Sequence, residues 1–269
     1  MTDFSSPIWL FGCGNMAGAM LKGWLVAGAD PAHFTAIRPS GREVAPGVRV
    51  LTALPQDEVP AVVVLGVKPQ KLAEIAPVLA PVLAPETLLV SILAGVELAT
   101  LRQAFAAPRA IVRAMPNLPV ALNKGVTGLC ADAGDGAVRE AVTGLMAPLG
   151  HAEWVDECQM DLFAALAGSG PAFLYRFIDA MGVAGAQLGF APEQAARLAL
   201  ATVEGAAAMA AGADVTPAAL ADRVASPGGS TRAGLNVLDA EPGLAGMLTD
   251  TLTAAVARNR EMAAEARGA

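Results

Sequence analysis

Two glycine-centred stretches carry residue types and spacings suited to chemistry. The first is Phe11-Gly12-Cys13-Gly14-Asn15-Met16-Ala17, preceded by the apolar run Pro7-Ile8-Trp9-Leu10-Phe11 and followed by residues apolar at helical spacing up to Ala27 and Gly28. Strand, glycine turn and helix in that order open a dinucleotide-binding unit. Gly12 permits the tight turn, Gly14 lets a pyrophosphate approach the backbone, and Ala17 is small enough to replace the third glycine at the helix–strand contact. The helix start offers unpaired N–H groups and a positive dipole end to phosphates. Gly12, Gly14, Asn15, Met16 and Ala17 are therefore cofactor-binding candidates; a tight turn without ligand is the alternative. The second stretch is Ser226-Pro227-Gly228-Gly229-Ser230-Thr231. It places two glycines and several hydroxyls where helix N–H groups are unpaired, a preformed site for a carboxylate. Its alternative is a capped helix start, with Ser230 or Thr231 as N-cap.

The inventory of titratable groups restricts the reaction. Lysines occur only at positions 22, 68, 71 and 124, no histidine follows His151, and Tyr175 is the single tyrosine. Removing a hydroxyl proton, as an alcohol dehydrogenase must, needs a base or a metal. A helical-domain lysine is absent, and Asp179 stands where a Tyr-x-x-x-Lys reductase would carry lysine. An acid-poor, hydroxyl-bearing inventory suits a hydride acceptor that needs only orientation, water exclusion and one hydrogen-bonding group. The three cysteines, Cys13, Cys130 and Cys158, match neither a disulfide framework nor a zinc site, so no metal is expected and the expected location is the cytoplasm. A net charge of −7 without a basic stripe argues against nucleic-acid binding. Asp3 near the N-terminus and the absence of a basic segment there argue against a secretory signal. No apolar run is long enough for a membrane span, the alanine-rich stretch near Ala206 being broken by Glu204 and glycines.

The elements that must position these groups change character along the chain. Strands are expected at 7–11, 34–37, 48–51, 61–67, 87–92, 110–113, 125–130 and 152–155, with a helix at 136–147. The second ends at Arg38-Pro39-Ser40-Gly41-Arg42, about 20 residues past the turn, where NAD-binding units carry an acid. Arg38, Ser40 and Arg42 would instead pair with a 2′-phosphate, which favours NADPH with NADH still possible; a solvated basic turn is the alternative. Val67, Lys68 and Pro69 end the fourth strand, and Ala94 and Gly95 follow the fifth, at the carboxyl edge where open α/β sheets bind ligands, with a surface lysine as the alternative for Lys68. Met115, Pro116 and Asn117 form, with Pro119, a stiff loop able to hold an amide or backbone groups against a planar ring; a structural turn is the equal alternative. His33 reads as a surface residue and His151 as a loop residue.

From 156 onward the strand signal is gone and helices are expected at 157–167, 171–188, 192–211, 217–224, 231–238 and 244–265. The fold class is therefore α/β: a Rossmann-like NAD(P)-binding domain over 1–155, then an all-α domain over 156–269. Several of its helices are apolar all round, which calls for a homo-oligomer built on a dimer through this half. Gly168-Ser169-Gly170-Pro171-Ala172 opens the longest early helix with residues too small to crowd a partner or ligand.

These segments in this order resemble the pyrroline-5-carboxylate reductase family: Gly12 to Ala17, Val67-Lys68-Pro69-Gln70, Met115-Pro116-Asn117, Gly168 to Ala172 and Ser226 to Thr231. The resemblance covers essentially the whole length, and the last two motifs together are quite specific. It implies NAD(P)H-dependent reduction of 1-pyrroline-5-carboxylate to L-proline, an interleaved helical dimer and an active site between domains. It further implies that Ser226, Gly228, Gly229, Ser230 and Thr231 hold an imino-acid substrate, with the Thr231 hydroxyl reaching the ring nitrogen as the catalytic group. Met115, Pro116 and Asn117 would lie by the nicotinamide ribose, and Val67 and Lys68 would line the cofactor. Ala167 and Phe173 depart from the serine and tyrosine frequent in the family. Reduction of a different cyclic imine, or a non-enzymatic NADP-binding redox sensor, are the competing readings.

Overall fold

The structure, a computed structural model, describes residues 7–55, 57–133 and 136–268, with side chains described up to 264; Asp3 lies outside them. Eight strands form one sheet: β1 (Ile8–Phe11), β2 (Phe34–Ile37), β3 (Arg49–Leu51), β4 (Val62–Leu65), β5 (Leu88–Ser91), β6 (Ala110–Pro116), β7 (Gly125–Ala131) and β8 (Gly150–Trp154). Their order is β3-β2-β1-β4-β5-β6-β7-β8. All neighbours run parallel except β6 and β7. A parallel pairing there would need a crossover of a dozen or more residues, and only 117–124 join the two strands.

β6 continues past the expected end at 113: Met115 and Pro116 are strand residues, opposite Gly128 and Thr127. The stiff loop read from the sequence is thus a strand end followed by a 3₁₀ turn, Leu118–Leu122. β8 likewise begins at Gly150, so His151 is an exposed strand residue, paired with Glu153 at 2.8 Å, and not a loop residue. His33 closes a 3₁₀ turn and is half-buried, with Nδ1 inside and without a hydrogen-bond partner, so it is not a plain surface residue.

Period-two side-chain alternation feeds two cores, one on each face of the sheet. Ile8, Leu10, Val64, Val90 and Val112 point to one, and Trp9, Val63, Leu65, Leu89 and Ile111 to the other. The first face is covered by α1 (Asn15–Val26), through Met20, Leu21 and Trp24, whose indole donates to the Leu145 carbonyl at 2.7 Å. The second is covered by α2 (Leu72–Leu79) and α3 (Leu98–Ala104). α4 (Gly136–Met146) adds Val138, Val142, Leu145 and Met146 to the first core.

The chain divides into two compact units, residues 1–169 with 255–269, and residues 170–254. Strands end at Trp154, but α5 (Met160–Phe163) and a π-helical turn, Ala164–Gly168, remain with the sheet, where Met160 is buried in the second core. The other unit holds α6 (Gly170–Gln187), α7 (Pro192–Ala211), α8 (Pro217–Val224), α9 (Ser230–Asp239) and the first half of α10 (Gly243–Gly268). α6 and α7 pack through small residues: a Cβ on Gly182 would lie 3.3 Å from the Ala196 Cα. Among the described residues no helix is long and apolar enough to cross a membrane.

Candidate active site

Strand order reverses between β1 and β4, the switch point where open α/β sheets bind ligands at their carboxyl ends. Gly12 follows β1 with φ +82°, and a Cβ there would lie 2.7 Å from the Val67 Cγ1. Gly66 follows β4; its Cβ would lie 2.6 Å from the Gly12 carbonyl oxygen and 3.0 Å from the Ala17 Cβ. Gly12, Ala17 and Gly66 therefore interlock, which brings the turn, the helix and the neighbouring strand end together. Gly14 differs: nothing in the chain lies within 4 Å of where its Cβ would be. It is exposed, it is the N-cap of α1, and no side chain caps that helix. An open glycine beside uncapped N–H groups is a cradle that fits a pyrophosphate.

Asn15 is exposed and Met16 half-buried at the start of α1. Arg38 continues β2 and donates its backbone N–H to the Leu51 carbonyl at 2.9 Å. Ser40 and Arg42 are exposed, and the Ser40 hydroxyl accepts from the Arg42 N–H at 3.4 Å. Burial pushes the Cys13 thiol above its ordinary range, and the Arg38 charge nearby partly opposes this. Lys68, exposed, caps a 3₁₀ turn begun by Pro69.

A cavity of about 220 Å³ lies further along the same edge, with Ala94, Gly95, Met115, Pro116, Gly168 and Ser169 on its walls. It joins four of the later cofactor-binding candidates, Ala94, Gly95, Met115 and Pro116, to the first residues of the glycine-serine motif. Asn117 does not offer its amide to this space. It is buried; its Nδ2 donates to the Ala167 carbonyl at 2.9 Å and its Oδ1 accepts from the Val126 N–H at 2.9 Å. The asparagine thus ties the end of β6 to the π-helical turn and to β7.

In the helical unit, α9 begins at Ser230 with Gly229 as N-cap, and no side chain caps it. Neither Ser230 nor Thr231 is the N-cap; they occupy the first two helical positions. Gly228 has φ +70°, and a Cβ on Gly229 would lie 2.5 Å from the Ser226 Oγ, so each glycine has its own steric reason. Ser226, Ser230 and Thr231 are exposed. Arg232 pairs with Asp222 at 2.6 Å, holding α9 to α8.

Residues 157–262 match the family described as pyrroline-5-carboxylate reductase dimerisation, and 7–95 match that described as NADP oxidoreductase, coenzyme F420-dependent. The pyrroline-5-carboxylate reductase of Pseudomonas aeruginosa is 39% identical over 268 residues, covering 96% of this chain and 98% of that protein. The chain belongs to the pyrroline-5-carboxylate reductase family. The solved structure of the Coxiella burnetii reductase superposes with a TM-score of 0.85 at 33% identity, covering 95% of this chain and 98% of that one. The Plasmodium falciparum reductase, solved with NADP bound, has a TM-score of 0.83 at 24% identity, covering 98% and 99%, and shows the shared fold. In this family member, sequence reasoning missed four residues around the two ligand-sized spaces. Gly66 was visible as a lone glycine ending a β-branched run, the usual mark of a close backbone approach. Arg113, Glu157 and Asn259 carried no local signal; long-range contacts place them beside the 220 Å³ cavity.

Proposed function

We propose that this chain reduces 1-pyrroline-5-carboxylate to L-proline, the last step of proline biosynthesis. The observation that carries this is the 39% identity to the Pseudomonas aeruginosa reductase across 98% of that protein's length. A bound nicotinamide cofactor supplies the hydride. Gly12, Gly14, Asn15, Met16 and Ala17 hold its pyrophosphate against the start of α1, with Val67, Lys68 and Pro69 at the neighbouring strand end. Ala94, Gly95, Met115 and Pro116 form the walls for its reactive ring, and Asn117 braces them from behind. Arg38 and Ser40, with no acid at the end of β2, favour a 2′-phosphate and hence NADPH over NADH.

The Ser226–Thr231 loop takes the substrate carboxylate on the N–H groups of α9, Gly228, Gly229 and Ser230 shaping the turn. The Thr231 hydroxyl hydrogen-bonds the ring nitrogen. The imine enters protonated, so as its carbon gains hydride the C=N π pair becomes the lone pair of a neutral ring amine and no further proton is needed; the nitrogen remains a hydrogen-bonding partner throughout. The residues contribute orientation and exclusion of water.

The working form in this reading is a homodimer through the helical unit. Leu188 is 89% exposed, Met209 69% and Tyr175 61%, and α6 and α7 border a groove of about 580 Å³ lined by Tyr175, Ile178, Gly182, Val183, Ala196 and Leu200. Free thiols at Cys13, Cys130 and Cys158 accord with a cytoplasmic setting. A panel of cyclic imines of different ring size, each with NADPH and NADH, tests the proposal. Turnover fastest with 1-pyrroline-5-carboxylate and NADPH is expected; a larger ring preferred over it would redirect the assignment, and binding of NADP without turnover of any imine would favour a sensor.

A further inference from the structure

Glu157 does not line the 220 Å³ cavity but is hydrogen-bonded to residues on two of the segments that do. Glu157 comes just after β8, and its backbone is fixed by a capping box between Asp156 and Gln159. One carboxylate oxygen, Oε1, accepts two hydrogen bonds: from the Leu98 backbone N–H at 2.7 Å and from the Arg113 guanidinium at 2.9 Å. Leu98 is the first residue of α3, directly after Ala94-Gly95-Val96-Glu97, and the N-cap Glu97 makes no side-chain capping hydrogen bond to this helix. Arg113 lies on β6 two residues before Met115 and Pro116, and itself borders the cavity. A single oxygen therefore joins the Ala94–Gly95 wall to the Met115–Pro116 wall.

The Arg113 side chain is 6% exposed and its Nε is buried without a hydrogen-bond partner, so the guanidinium is held in place by its bond to Glu157, whose own side chain is 37% exposed and keeps the pair in reach of water. The opposite side is fixed in the same manner: the Asn259 amide donates to the Asp161 carbonyl at 3.0 Å, both residues bordering the cavity.

We propose that Glu157 is a positioning residue for hydride transfer, setting the distance between the two walls that grip the reactive ring. This rests on the assignment of the cavity to the nicotinamide end of the cofactor. Misplacement of reacting groups by 1 Å costs about 100-fold, so a small change in reach has a large kinetic effect. Two substitutions separate reach from charge. Glu157→Gln keeps an acceptor oxygen at the same distance and loses the charge; Glu157→Asp keeps the charge and withdraws the oxygen.

Three measurements on the full chain decide it: kcat with 1-pyrroline-5-carboxylate, the nicotinamide emission of bound NADPH, and the Kd of adenosine 2′,5′-bisphosphate, which occupies only the distant adenosine end. The expected result is Glu157→Gln within about fivefold of the parental kcat and Glu157→Asp down by at least tenfold. The emission of bound NADPH should change in Glu157→Asp alone, and adenosine bisphosphate affinity should stay within about twofold in both. Parental kcat and emission in Glu157→Asp would overturn the proposal. So would Glu157→Gln impaired as deeply as Glu157→Asp, or adenosine bisphosphate binding lost in step with kcat. A parental protein inert towards pyrroline-5-carboxylate would refute the assigned reaction instead, while the emission and adenosine measurements would still judge Glu157.

Discussion

The sheet unit and the helical unit use alanine-rich, largely apolar sequence to opposite ends. In the sheet unit both faces of β1, β4, β5 and β6 are covered, and Trp9, Trp24, Phe34 and Phe105 are fully buried. In the helical unit the residues buried on α6 and α7 are only Gly182, Ala195 and Ala199, while Leu188, Phe190, Leu198, Leu200 and Met209 stay exposed. An apolar helix pair with small residues inside and large ones outside accords with the match of this region to a dimerisation family. The same contrast runs through the ligand groups. The turn proposed to take a dinucleotide is braced by the close approach of Gly12, Ala17 and Gly66, whereas Ser230 and Thr231 stand on an exposed helix start.

Breaking the helical face should have the largest effect. Val183→Glu puts a charge into the α6–α7 groove, and light scattering should show the parental dimer replaced by monomer, with activity down at least ~100-fold because an unpaired charge in an apolar interface is strongly unfavourable. Adenosine 2′,5′-bisphosphate should still bind if, as proposed, its site is built from Gly12–Ala17 and Arg38. A monomeric parent protein with full activity would remove the contrast altogether.

The next effect belongs to the α9 start. Thr231→Ala should lower kcat/KM by about 5- to 150-fold, the kinetic equivalent of roughly 1–3 kcal/mol for an unpaired polar partner. Thr231→Ser should recover most of this, and Ser230→Ala should be mild. Steady-state kinetics giving the reverse order for Thr231 and Ser230 would exchange their roles.

Within the cradle the two kinds of glycine can be separated. Gly66→Ala forces a Cβ against the Gly12 carbonyl and should destabilise the fold by about 1–3 kcal/mol, read in chemical denaturation. Gly14→Ala meets no protein atom and should leave stability unchanged within about 0.5 kcal/mol while weakening NADPH binding by isothermal titration. Equal stability losses in both variants would mean that the open space at Gly14 serves folding and not a ligand.

Arg38→Asp is expected to have the smallest effect overall and the most selective. It should raise the KM for NADPH about tenfold, the loss of one charge-assisted contact, and spare NADH. A parent protein with equal kcat/KM for both cofactors would leave Arg38 as a solvated turn residue.

Strand positions, the glycine turn after β1, the basic end of β2 and the change to helices near 156 were legible in the sequence, because each depends on local periodicity or on conformations open mainly to glycine and proline. The extension of β6 through Pro116 was not, since it depends on antiparallel pairing with β7, and nothing local marks a strand's orientation. Asn117 shows the limit most clearly: its sequence neighbours fit a ligand-facing loop and a structural turn equally, and the fold decides by turning the amide inward to Ala167 and Val126. The joining of Glu157 to Leu98 and Arg113, 59 and 44 residues away in the chain, was likewise decided by the tertiary structure alone. Short-range sterics write themselves into sequence as turn residues and periods, whereas a hydrogen bond between distant segments leaves only ordinary residue types that gain their meaning when the sheet brings them within 3 Å.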